Sequence, residues 1–93
     1  MTILRERSSP EADPVALALA ALGWIVADPT RAERLLALTG LTPEALRSGL
    51  GDPAVLAAVL EFLVAHEPDL IAAAAAIGTT PESLARAAQR LGP

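Results

Sequence analysis

Polar residues punctuate this chain more than they pattern it. Stretches rich in Ala and Leu are broken by dipeptides in which an acidic or hydroxyl residue precedes proline: Asp13-Pro14, Asp28-Pro29, Thr42-Pro43, Asp52-Pro53, Glu67-Pro68 and Thr80-Pro81. Proline suits the first turn of a helix, where its missing N–H is not needed and its fixed φ is already helical. Asp and Thr in front of it can accept a bond from a free amide of that turn, and Glu complements the positive end of the helix dipole. Gly40, Gly51, Gly78 and Gly92 stand where helices should stop. This spacing predicts six short helices over 14–27, 29–39, 43–50, 53–66, 68–77 and 81–91. No stretch alternates strictly between apolar and polar, so no sheet is expected. The expected fold is all-α: a compact bundle in a single helical domain, 13–93, preceded by a flexible polar arm, 1–12.

A weak internal repeat runs through this punctuation. Asp13-Pro14 returns as Asp52-Pro53, 39 positions on. Leu22-Gly23-Trp24-Ile25-Val26-Ala27 resembles Leu60-Glu61-Phe62-Leu63-Val64-Ala65, and Gly40-Leu41-Thr42-Pro43-Glu44-Ala45-Leu46 resembles Gly78-Thr79-Thr80-Pro81-Glu82-Ser83-Leu84, both 38 positions apart. Two three-helix units, 13–50 and 52–91, would explain this. Chance similarity between capped Ala/Leu helices would do so as well.

Polarity is unevenly shared among the helices. The segment 14–27 has no charge after its cap, and 53–66 carries Glu61 alone before His66. The charges gather on 29–39, 43–50 and 81–91. A helix apolar on every side is normally enclosed, which places 14–27 and 53–66 at the centre. So small a domain cannot fully enclose two such helices. An apolar patch should therefore remain exposed, and such patches commonly serve a partner. Solvated Ala faces are the plainer alternative.

Composition narrows the chemistry. The chain has 93 residues, a net charge of -4, no Cys and a single His. It has no Lys, so neither a Schiff base nor a phosphate-loop lysine is available. Thiolate metal sites and thiol nucleophiles are excluded, and no cofactor or metal is expected. The acidic balance opposes nucleic-acid binding, which draws on excess cationic charge. The charge-free run 14–27 is shorter than the roughly 20 residues that span a bilayer. Glu6, Glu11 and Asp13 interrupt what would be the cationic region of a signal peptide, so a cytoplasmic protein without membrane attachment is expected.

Several residues are candidates for a site. Trp24 and Phe62 occupy matching positions on the two most apolar helices. Core packing is the usual role for such aromatics, whereas a half-exposed Trp would anchor an interface. Arg31 and Arg34 form a positive edge, either solvated or matched to an acidic partner patch. His66 falls at a predicted helix C-terminus, where it would interact favourably with the dipole. Glu44 with Arg47, and Glu82 with Arg86, have the spacing of surface pairs along one helical face. Ser8, Ser9, Ser48 and Ser83 have no neighbouring base and no nucleophile-elbow context. The segment 38–46 could form the turn of a helix-turn-helix, but its second helix would offer Glu44 and a single Arg47 to the bases.

The chain resembles DUF3572, a family of short alphaproteobacterial proteins of unknown function. The resemblance rests on Ala21-Leu22-Gly23-Trp24-Ile25 and Arg34-Leu35-Leu36-Ala37-Leu38-Thr39-Gly40-Leu41, then on Asp52-Pro53 and on Val59-Leu60-Glu61-Phe62-Leu63 leading to Glu67. Leu35 and Glu61 stand where the family pattern has Phe and Asp. The family implies no reaction, ligand or catalytic residue, and it suits a regulatory adaptor.

The reading as a whole is a non-enzymatic helical protein that binds another protein or a second copy of itself. Its contact surface is expected beside Trp24 and Phe62, rimmed by Arg31, Arg34 and Glu61. The alternatives are a nucleic-acid-associated regulator of helix-turn-helix type and, less favoured, a small-ligand-binding protein.

Overall fold

Six helices follow one another with short connections and, among the described residues, no strand. The computed structural model describes residues 13–92, so the N-terminal arm read over 1–12 lies outside them. The helices are α1 (Pro14–Val26), α2 (Pro29–Thr39), α3 (Pro43–Ser48), α4 (Pro53–Val64), α5 (Glu67–Ile77) and α6 (Pro81–Leu91).

The caps explain why the helices begin where they do. Asp13 Oδ1 accepts from the amides of Val15 at 3.1 Å and Ala16 at 3.2 Å. Asp28 accepts from Thr30, Thr42 from Ala45, Asp52 from Ala54 and Thr80 from Ser83, at 2.9 to 3.1 Å. Each bond satisfies an amide that has no partner within its own helix. Helix α5 is the exception, since His66 occupies its cap position without a side-chain bond. Gly40 and Gly78 end α2 and α5 in the left-handed conformation, at φ 77° and 80°, where a side chain is strained.

Four boundaries differ from the sequence expectation, the smallest change being that α1 ends at Val26 with Ala27 as its cap. Helix α3 stops at Ser48 instead of running to Leu50. Gly49 donates to the carbonyls of Ala45 and Leu46, and its carbonyl accepts from Asp52 at 2.9 Å, closing a turn. Gly49 is the glycine that this turn requires, because a Cβ there would stand 2.6 Å from Val55 Cγ2. Helix α4 stops at Val64, two residues early, and Ala65 caps it. His66 is extended, at φ -133° and ψ 96°, and leads into α5, which begins at Glu67 with Pro68 in its first turn.

Helices α1 and α4 form the centre and pack against each other. Helix α4 packs most extensively on α6, and also on α2 and α5; α1 packs on α6, α5 and α2. Ile25, Leu35, Leu56, Val59, Leu60, Leu63 and Leu84 are fully buried between them. Helix α6 turns Ser83, Leu84, Ala87 and Ala88 inward and leaves Arg86, Gln89 and Arg90 outside. Such an amphipathic helix gains most of its stability from packing that face, not from propensity. Helix α3 has no comparable packing on any other helix.

No single helix among the described residues is long and apolar enough to cross a membrane. Helices α1 and α2 reach that length and apolarity only together, and they are bent against each other by 119°.

Candidate functional site

The turn between α1 and α2 is held by Arg31. Its guanidinium carbon lies 3.6 Å from the centroid of the Trp24 ring. Nη2 donates to the Trp24 carbonyl at 2.6 Å, and Nη1 donates to Asp28 Oδ2 at 3.2 Å. One planar cation thus covers the indole face, takes up a carbonyl at the end of α1 and pairs with the carboxylate that caps α2. Lysine, a compact ammonium, could not do all three. Trp24 is half-buried and packs against the core.

One turn further along α2, Arg34 forms an ion pair with Asp69 of α5. Asp69 Oδ2 also lies 3.2 Å from Nδ1 of His66. The Arg34 guanidinium carbon lies 5.7 Å from the centroid of the Phe62 ring, within reach of a cation–π contact. Residues from α2, α4, α5 and the α4–α5 turn therefore meet in one polar cluster over an aromatic ring.

A groove opens on the other side of α2. Leu19, Leu22, Gly23 and Val26 of α1 form one wall, and Ala32, Leu35 and Leu36 of α2 a second. The third comes from Pro43, Leu46 and Arg47 of α3 with Leu50 beyond it. The groove encloses about 490 Å³ and its lining is almost wholly apolar, with Arg47 as the only charged side chain. Leu19 is 41% exposed and Val26 48%. A smaller, more polar depression lies between α2 and α4, lined by Leu38, Thr39, Ala58, Glu61, Phe62 and Ala65.

Among the described residues, no group of three His, Asp or Glu side chains is placed to hold a metal ion. Ser83 Oγ accepts from Thr80 Oγ1 at 3.0 Å within the cap of α6.

The sequence model of DUF3572, described as a protein of unknown function, matches residues 11–93. The chain belongs to the DUF3572 family. No curated protein and no solved structure matches it.

In this DUF3572 chain, the residues expected at a contact surface are divided among different environments. Trp24 and Arg31 meet in the α1–α2 clamp, and Phe62 and Arg34 in the cluster around Asp69. Phe62 is 6% exposed and belongs to the core, with its rim reaching the shallow depression beside exposed Glu61. Arg31 and Arg34 are engaged by the chain's own groups, so they do not present a free positive edge. Glu44 and Arg47 approach to 3.9 Å, whereas Arg86 turns to Ser83 Oγ at 3.4 Å. His66 belongs to the start of α5 and the Asp69 cluster, a correction to its expected place at the end of the preceding helix.

The apolar groove of the DUF3572 chain is the feature that the sequence reading missed. Its sequence trace is the uninterrupted apolarity of α1 together with Leu35-Leu36, Leu46 and Leu50. Those residues scatter over three helices, and nothing local shows that they face each other.

Proposed function

We propose that this protein is a non-enzymatic adaptor of the bacterial cytoplasm, which acts by receiving an apolar surface of another protein, or of a second copy, in the α1–α2–α3 groove. The observation that carries this reading is an open, nearly charge-free groove on a helix whose outer face continues it through Val15, Leu19 and Val26. Exposed contiguous apolar surface is costly in water and commonly marks a partner site. The nucleic-acid alternative has less support: Arg31 and Arg34 are already paired, and the net charge is -4. A small apolar ligand would fit the volume, but few polar groups converge there to orient one.

The test compares wild type with Leu19→Asp, a substitution at a half-exposed position that the fold should tolerate. Light scattering over a concentration series and cross-linking in cell extract are the readouts. The expected result is self-association or a cross-linked partner for wild type and neither for Leu19→Asp. A wild-type monomer with the same cross-linked products as the variant would remove the groove from consideration.

A further inference from the structure

Helix α3 walls the apolar groove, yet little holds it there. It has six residues, and none of them is buried. No other helix packs extensively on it. Of its side chains only Leu46 rests on the core cluster, and Leu46 is itself partly exposed. Among the described residues its polar bonds stay local. Thr42 caps the Ala45 amide, Ser48 Oγ donates to the Glu44 carbonyl, and Arg47 lies 3.9 Å from Glu44. Helix α2 is held differently, by Arg31 to α1 and by Arg34 to α5. Helix α6 starts from the same Thr-Pro-Glu sequence as α3, but it buries Ser83, Leu84, Ala87 and Ala88.

The two ends of α3 are unequal. Behind it, Gly49 is buried against Val55, and its carbonyl accepts from Asp52 at 2.9 Å, which fixes that end on the start of α4. In front, Gly40, Leu41 and Thr42 lie outside any helix, and a Cβ on Gly40 would meet nothing within 4 Å. Residues at the ends of an element are those that absorb the φ/ψ change of a hinge. Along the groove α3 faces Leu22 of α1 and Leu35 of α2, which line it although they are only 8% and 0% exposed.

We propose that α3 is a hinged wall of the groove. It pivots at Gly49 and lifts away from α1 and α2 while the other five helices stay packed, and so sets how broad an apolar surface the groove admits. This rests on the partner-binding reading above and concerns the regulation of that same site. Opening costs little, because it uncovers one partly buried leucine and, among the described residues, breaks no ion pair or side-chain hydrogen bond to another helix. A helix of six residues does not hold its own hydrogen bonds in water, so α3 unwinds once it is lifted.

Native-state hydrogen exchange on the intact isotope-labelled chain tests this. The Leu46 and Gly49 amides, which donate to Thr42 and Ala45, should be roughly a hundredfold or more less protected than those of Leu60 and Leu63 in α4. Their exchange should not depend on urea below the unfolding transition, because little surface is exposed. A thiol probe reads the groove itself, since the chain has no Cys of its own. Leu35→Cys should be labelled through the same urea-independent opening, whereas Leu63→Cys should react only through global unfolding. Equal protection of α3 and α4, measured on the unaltered chain, would overturn the proposal. So would labelling of Leu35→Cys that follows Leu63→Cys at every urea concentration. If α3 opens alone while wild type and Leu19→Asp give the same cross-linked products, the partner reading fails and the hinged wall stands.

Discussion

Arg31 lies flat on Trp24, 3.6 Å from its ring centroid, and donates to the carbonyl of the same residue at 2.6 Å. The side chain reaches back seven residues, from the first turn of α2 to the last turn of α1, and so sets the angle at which the two helices meet. That angle is one boundary of the groove.

Arg31→Ala should destabilise the fold by roughly 1–2 kcal/mol, from the lost stacking and the unpaired Trp24 carbonyl. Arg31→Lys should recover less than half of this, because an ammonium cannot stack and bridge both oxygens together. Urea unfolding followed by Trp24 fluorescence measures both, since Trp24 is the only tryptophan. Equal stability of Arg31→Lys and wild type would show that charge alone matters.

The Arg34–Asp69 pair joins helices 35 residues apart. A double-mutant cycle with Arg34→Ala and Asp69→Asn should give a coupling of about 0.5–1 kcal/mol at low salt, shrinking in 1 M NaCl, as expected for a partly exposed pair. Asp69→Asn should cost more than Arg34→Ala, because it also weakens the contact with His66 and removes charge from the first turn of α5. A coupling near zero at low salt would mean that the pair does not help to hold α2 against α5.

Gly23→Ala should raise thermal stability. The added methyl meets nothing, and alanine favours the helix by roughly 0.5–1 kcal/mol, or about 2–8 °C in Tm for a domain of this size. Thermal unfolding by circular dichroism reads the shift. A lower Tm would reveal an internal reason for the glycine.

Gly49→Ala and Gly51→Ala should behave differently. A Cβ on Gly49 would press to 2.6 Å on Val55 Cγ2 and to 3.0 Å on the Ala45 carbonyl oxygen, whereas one on Gly51 would meet open space. The branched Val55 side chain is stiff, so the first substitution should cost roughly 1–3 kcal/mol and the second almost nothing. Chemical denaturation of the two variants side by side checks this, and equal midpoints would contradict the close approach of α3 to α4.

Helix number and most helix ends were readable along the chain because capping acts within a single turn. Asp52 needs only the Ala54 amide, two residues on, to start α4, and Gly78 stops α5 through its own φ. The misread ends are those that a neighbour decides. Gly49 terminates α3 where Val55 comes close, and His66 leaves the helical path where α5 begins, with Asp69 drawing its ring.

Side-chain partnership was not readable in this way. Arg31 and Arg34 look alike in sequence, as two cations on one helix face. One is held by the helix before it and the other by a carboxylate three helices later. Phe62 and Trp24 match in position, yet only Phe62 is enclosed, because α4 is covered more completely than α1.

Local backbone preferences and apolar content dictated six helices, five of them capped by a side chain, with two of the six central, since those forces act between near neighbours or through total buried area. Which faces met, which arginine found which partner, and that a groove stayed open between α1, α2 and α3 depended on how helices distant in sequence packed. Packing depends on shape in three dimensions, and the short α3 leaves the apolar face of α1 beside it uncovered.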